Sequence, residues 1–266
     1  MIRFSKAHAY GNDFLYVEAS QLSGVDVAAL ARAMCDRHCG IGADGLIVYE
    51  PAAEGMTMRL YNADGGRAEV SGNGLRGLAA LILDAGKDRS ITIRTEAGAK
   101  QLTRIGQSAG RQTFRAAMGV PAGLQQMTLS SGDELVQAVV MNIGNPQCVV
   151  LGPLPSIDRF QHLGASLERH EAFPEGTNVE FASVEALDRV RILIWERGVG
   201  PTRSSGTGSC AALVAAAAYG GAAREADVIA PGGSQRVEWQ DDGIYLTGWA
   251  ELVCRGEWLG VVPPQP

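Results

Sequence analysis

The feature that most constrains the fold is a glycine-rich helix start that occurs twice. Residues 59–84 read RLYNADGGRAEVSGNGLRGLAALILD, and residues 193–218 read LIWERGVGPTRSSGTGSCAALVAAAA. In each segment an aromatic residue, Tyr61 or Trp195, stands ten positions before a serine, Ser71 or Ser205. Each serine opens a Ser-Gly-Asn/Thr-Gly tetrad that runs into an apolar stretch. The offset is 134 residues, about half of the 266-residue chain. Gly11-Asn12 and Gly144-Asn145 repeat at an offset of 133, and a weaker match pairs TIRTEAG, ending at Gly98, with DVIAPGG, ending at Gly233. Three matches in one order at nearly one offset mark a duplicated unit. The boundary falls near residues 118–126. The halves are expected at 1–120, joined by about 255–266, and at 121–254.

Each half reads as short strands plus one apolar helix. Residues 14–17, 45–49, 58–61, 91–95, 136–142, 148–151, 190–195 and 236–239 are rich in apolar, β-branched or aromatic residues, and turn formers bound most of them. Residues 23–35 read as a helix with Ser23 as N-cap, and Cys35 and Cys39 then fall at helical spacing and are expected to be buried. Residues 75–85 and 210–219 read as buried helices rich in Ala and Leu. The class is α+β rather than an alternating βαβ series.

The helix starts carry the chemistry. The first turn of a helix has backbone N–H groups without intrahelical partners and a partial positive charge. Glycines let a ligand approach that backbone, and a carboxylate or phosphate is the natural guest. Neither tetrad is the GxxxxGK[ST] phosphate loop, and its small size suits a carboxylate. Each serine also fits an ordinary N-cap.

Other classes are excluded or unsupported. The net charge is −6 with no basic cluster, so no nucleic-acid partner is expected. No apolar run approaches the roughly 20 residues of a membrane span. The N-terminus lacks the apolar core of a signal peptide. The five cysteines are scattered and odd in number, which favours a reducing cytoplasm over a disulfide framework. The four histidines, His8, His38, His162 and His170, lack metal-ligand spacing, so no metal is expected.

The segments SKAHAYGNDF, DRHCGIGADGL, YNADGGRAEVSGNGLR, IGNPQCVV, HEAFPEGTNVEF and WERGVGPTRSSGTGSCA resemble, in order, the signatures of the diaminopimelate epimerase family. The resemblance runs from about residue 2 to about residue 250. It implies two pseudo-symmetric domains, each a β-barrel-like sheet around a central helix, with a small amino-acid substrate in the cleft between them. It implies inversion of an α-carbon by two-base proton transfer, from LL- to meso-diaminopimelate in lysine biosynthesis, without a cofactor. A homodimer is a further expectation.

By the same resemblance Ser71 and Ser205 occupy the two acid/base positions, where the family has cysteines. Cys210 does not replace Ser205, because it lies five residues further along, beyond the first turn. Asn12 lies near the reacting centre. Gly72-Asn73 and Gly206-Thr207 form the backbone cradle for the reacting carboxylate. Asn62, Asn145, Asn178 and Arg197 read the far amino-acid end, and Glu196 supports the acid/base pair. Gln147 stands where many members have histidine, and Gly45 where many have glutamine. The residue types agree in kind, since an arginine fork grips a carboxylate in two places and asparagine both donates and accepts. Two other functions stay open from the residues: isomerisation or elimination on a small carboxylic acid with Glu196 or Asp64 as base, and diaminopimelate binding without catalysis.

Overall fold

The computed structural model describes residues 1–84, 88–132 and 134–261. It divides into two compact units, Met1–Ala116 with Trp249 onward, and Ala117–Gly248. The class is the expected α+β.

In unit 1, β1 (Ile2–Ala9) and β2 (Asn12–Glu18) form a hairpin that pairs Ala9 with Asn12. Its two turn residues, Tyr10 and Gly11, both have positive φ, 56° and 85°. A two-residue hairpin turn of this hand needs that, and Gly11 supplies it without strain. The chain crosses through α1 (Val27–Cys35) into β3 (Gly45–Pro51), which runs parallel to β2. β4 (Met56–Asn62) returns antiparallel to β3 and pairs with the short β5 (Arg67–Ala68). α2 (Gly72–Leu83) then leads to β6 (Ser90–Thr95), parallel to β4. β7 (Gly98–Ser108) and β8 (Arg111–Gly119) follow as an antiparallel meander. The later part of β17 (Gly243–Trp258) pairs with β1, from Ile2↔Trp258 to His8↔Glu251.

Unit 2 repeats this order element for element. β9 (Ala122–Ser131) lies beside β10 (Glu134–Asn142), and β10 and β11 (Pro146–Leu151) form the hairpin. α3 (Ile157–Glu168) crosses to β12 (Asn178–Ala186), parallel to β11. β13 (Arg189–Glu196) returns and carries the short β14 (Gly200–Thr202). α4 (Gly206–Ala215) leads to β15 (Glu225–Ala230), parallel to β13. β16 (Gly233–Gln240) and the start of β17 complete the set. The registers agree as well. Phe14↔Gly45 in unit 1 matches Gln147↔Asn178 in unit 2, and Thr95↔Gly98 matches Ala230↔Gly233.

The strands are sandwiched. Leu15, Val17, Leu46 and Val48 pack with Leu30, Ala31 and Met34 of α1. The alternate residues turn to the other face, where Tyr16 Oη donates to the Gly74 carbonyl of α2 at 3.0 Å. Burial on both faces explains the nearly continuous apolar runs in these strands. Ten of the twelve α2 residues and all ten of α4 are buried. A helix that is apolar all round has to lie inside. At Gly77 a Cβ would collide with the Tyr16 hydroxyl, so glycine there sets how closely α2 approaches β2.

Several sequence readings shift. Asp26, not Ser23, caps α1, accepting from Ala29 N at 3.0 Å. Gly24 at φ +71° turns the chain before the helix can begin. α1 ends at Cys35, so Cys39 lies beyond it and is exposed rather than buried. α2 and α4 start directly after their serines, earlier than residues 75 and 210, because the glycines are themselves helical. Residues 216–219, read as α-helix, widen into a π-helical turn ending on Gly221 at φ 80°. Ala85, the expected end of the second helix, and residues 262–266 lie outside the described residues.

Candidate active site

In unit 1 the site starts at Ser71, the N-cap of α2, whose Oγ accepts from Gly74 N at 3.1 Å. The amides of Gly72 and Asn73 precede the first intrahelical bond, Leu75 N to Ser71 O at 2.9 Å. A one-way hydrogen-bond chain runs from this start. Arg76, with no exposed surface, donates to Asn73 Oδ1. Asn73 Nδ2 donates to Asn12 Oδ1 at 3.0 Å, and Asn12 Nδ2 donates to Asp44 Oδ2 at 2.7 Å. Asp44 also accepts from Arg37 Nη2 at 2.8 Å and Asp13 N at 3.0 Å. A cation at one end and a carboxylate at the other fix both amide orientations. Asn62 closes β4, opposite Gly45. A Cβ on Gly45 would meet the Tyr61 carbonyl at 2.7 Å and the Phe14 ring at 3.2 Å, so this backbone leaves no room for a longer side chain there.

Unit 2 repeats the start with different neighbours. Ser205 caps α4, its Oγ accepting from Gly208 N at 3.1 Å and lying 3.4 Å from Thr207 Oγ1. Asn145 Nδ2 reaches Thr207 Oγ1 at 3.5 Å, as Asn73 reaches Asn12 in unit 1. Gly206 and Thr207 are buried. Beneath the start, Gln235 Nε2 donates to Ser209 Oγ at 3.1 Å and to the Ser205 carbonyl at 3.4 Å. A Cβ on Gly208 would lie 2.5 Å from Glu180 Oε1, so glycine there lets the helix start rest on that carboxyl. Burial, and then the charge of Glu196, push Glu180 well above the ordinary carboxylate range.

A second cluster in unit 2 fixes the turn after β13. Asn178 Oδ1 accepts from Arg197 N at 3.1 Å, and its Nδ2 donates to the Pro146 carbonyl at 3.0 Å. Glu168 accepts from Gly198 N at 2.8 Å and from Trp195 Nε1 at 2.7 Å. Arg197 Nη1 donates to the Glu175 carbonyl at 3.2 Å. The structure thus gathers Ser71, Gly72, Asn73 and Asn12 at one helix start, and Ser205, Gly206, Thr207 and Asn145 at the other. Asn178, Glu196 and Arg197 meet at the β13–β14 turn. Asn62 holds in unit 1 the place that Glu196 holds in unit 2. Sequence reasoning missed Arg76, Glu168 and Glu180. Arg76 had a signal, a lone charge inside an otherwise uncharged helix. Among the described residues no three His, Cys, Asp or Glu side chains gather closely enough to hold a metal ion.

Comparison with known proteins fits this geometry. The family model described as diaminopimelate epimerase matches residues 4–121 and 139–253. The chain is 38% identical to a diaminopimelate epimerase of Desulforudis audaxviator over 97% of its own length and 99% of that protein. It is 38% identical to diaminopimelate epimerase 1 of a Nostoc species, covering 96% and 99% of the two chains. Among solved structures, a hydroxyproline epimerase from Agrobacterium vitis shares the fold at a TM-score of 0.73 and 15% identity, over 96% of this chain and 91% of that one. The chain belongs to the diaminopimelate epimerase family.

Proposed function

We propose that this chain inverts one α-carbon of diaminopimelate, LL to meso, in lysine biosynthesis, with Ser71 and Ser205 as its two acid/base groups. One side chain takes the α-proton while the other delivers a proton to the opposite face of the carbon. Gly72-Asn73 and Gly206-Thr207 offer first-turn amides to the reacting carboxylate, with Asn12 beside them. Asn62, Asn145 and Arg197 address the distal amino-acid end. Asn178 belongs to the same group, acting on Arg197 through its backbone, and Glu196 supports the acid/base pair.

The observation that carries the reading is the turn holding Arg197. Asn178 and Glu168 fix its backbone at two hydrogen bonds, and Asn178 is itself anchored on the Pro146 carbonyl. A guanidinium set on so firm a base suits two-point binding of a carboxylate, and a monocarboxylate substrate would have no use for it. The amide of Gly74 or Gly208 and the helix dipole favour negative charge on each serine oxygen. A hydroxyl is nonetheless far less acidic than a thiol, whose ordinary pKa is about 8.5 and falls at a helix start. The wild-type reaction is therefore expected to be slow.

Deuterium entry from D₂O into the α-position of diaminopimelate tests the reading. Exchange that depends on the protein supports it. Calorimetric binding of diaminopimelate without any exchange would leave a binding protein. The double variant Ser71→Cys/Ser205→Cys should raise exchange by about 100-fold, the scale of general acid–base contributions. The same reading includes a homodimer in the cytoplasm. All five cysteines are free, which suits a reducing compartment. Light scattering on the purified protein distinguishes monomer from dimer.

A further inference from the structure

The duplication allows the surroundings of one helix start to be compared, position by position, with those of the other. In unit 1 the start is backed by apolar side chains. Phe14 and Ile47 are buried, and Ile47 Cδ1 lies 2.7 Å from where a Cβ on Gly74 would stand. The matching register places Gln147 and Glu180 at these positions in unit 2, with Glu180 against Gly208 as Ile47 is against Gly74. Both side chains have no exposed surface. A buried carboxyl where the sister unit uses isoleucine has a cost that packing alone does not explain.

Its neighbours set its state. The nearby charge is that of Glu196, another carboxylate on β13, and Cys148 on β11 is a thiol that burial and Glu180 together keep protonated. Glu180 otherwise meets the amide of Gln147. One end of that amide lies 3.1 and 3.2 Å from the two Glu180 oxygens. The other end lies 3.2 Å from Thr207 Oγ1 and 2.6 Å from Asn145 Oδ1.

We infer that Glu180 is a positioning residue held as a neutral acid, and that its proton decides, through Gln147, which way the Thr207 hydroxyl points at Ser205. With Glu180 protonated, its O–H donates to Gln147 Oε1, and Gln147 Nε2 donates to Asn145 and Thr207. Thr207 then gives its own hydrogen to Ser205 Oγ, 3.4 Å away, which already accepts from Gly208 N. Two donors on one oxygen stabilise it as an anion, so Ser205 is prepared to accept a proton. When Glu180 ionises, the Gln147 amide has to turn over to donate to it. The Gln147 oxygen then accepts the Thr207 hydrogen, and Thr207 can only accept from Ser205. Asn145 must turn as well, since two amide oxygens cannot meet at 2.6 Å. Ile47, which cannot ionise, stands in the place of Glu180 behind Ser71, so the two serines differ in kind.

This inference rests on the proposal that Ser205 exchanges protons, and the test separates the two. Carboxyl resonances of the wild-type chain carrying ¹³C-labelled glutamate are followed with pH, and Glu180→Gln assigns the resonance of Glu180. Deuterium entry into diaminopimelate is measured over the same range. Glu180→Gln keeps an N–H donor to Gln147 and cannot ionise. The expected result is a Glu180 resonance that stays protonated through neutral pH, and wild-type exchange that falls by about tenfold, one hydrogen bond's worth, as it ionises. Glu180→Gln should lack that fall while matching wild type at lower pH. A Glu180 resonance that titrates in the ordinary carboxylate range overturns the inference, as does a Glu180→Gln profile with the same high-pH fall. If Glu180→Gln does not fold, Glu180→Asp assigns the resonance and the wild-type titration still decides. If wild type exchanges no deuterium, the epimerase proposal fails while the carboxyl titration still reports on Glu180.

Discussion

Glu168→Gln probes the turn that carries Arg197. Glu168 is 7% exposed, and its two oxygens accept from two different donors, Gly198 N at 2.8 Å and Trp195 Nε1 at 2.7 Å. Glutamine has the same shape but only one acceptor oxygen. Whichever way its amide turns, an NH₂ group faces an N–H donor. One donor of a part-buried hydrogen bond then loses its acceptor, at about 1–2 kcal/mol, and the remaining bond loses its charge assistance. The total is about 3 kcal/mol. For a unit of this size that lowers the melting temperature by roughly 6–12 °C. Differential scanning calorimetry reads the shift, and Glu171→Gln, an exposed neighbour, serves as the control. A loosened Arg197 turn should also weaken diaminopimelate binding with less effect on the proton-transfer step. A melting temperature within about 2 °C of wild type would mean a cost under about 1 kcal/mol, and the reasoning from two opposed acceptors would be wrong.

Two further outcomes are expected. Burial alone would raise the Asp13 pKa, but hydrogen bonds from Arg37 at 2.7 Å and Lys6 at 2.9 Å outweigh it and hold the carboxyl below its ordinary value. A depressed folded pKa adds stability above the unfolded value of about 3.9, and that stability is lost as pH falls through the folded value. Unit 1 should therefore weaken below about pH 4. Asp13→Asn should cost about 2 kcal/mol at neutral pH and flatten that acid limb in urea titrations. Cys39 and Cys254 are exposed, whereas Cys35, Cys148 and Cys210 are buried, and burial, then the charges of Asp13 and Asp44, push Cys35 up to about 12. A thiol-specific disulfide reagent should modify two cysteines in the native protein and all five in denaturant.

The repeat was legible because the elements that recur are punctuated by glycine. Gly11, Gly98, Gly144 and Gly233 all have positive φ, a conformation few other residues adopt. The strand at 45–49, buried on both faces, and the one at 190–195, with its alternating apolar residues, were legible from composition. β1, β5, β12, β14 and β15 were not, and neither were β7, β8, β9 and β17. The exposed faces of β7, β9 and β17 carry residues such as Gln101, Gln125 and Arg255, and a ribbon of mixed polarity has no continuous apolar run. α3 escaped for the same reason, with charged residues and a histidine among its core-facing Phe160, Leu163 and Leu167. At the site the serines, asparagines and Arg197 could be picked out by motif. The groups that hold them could not. Arg76, Glu168 and Glu180 act through contacts made across the fold, and no spacing along the chain encodes those contacts.

The course of β17 bears on how the chain is made. The ribosome releases residues 117–248 as one uninterrupted stretch, so unit 2 has its residues together before synthesis ends. Unit 1 does not. Its first strand, β1, waits for residues 251–258 to be made before it can complete its pairing from Ile2 to His8. Domains commonly mature in the order of synthesis. Here the half that emerges first is the half that finishes last, and its unfilled strand edge stays exposed to chance partners throughout translation.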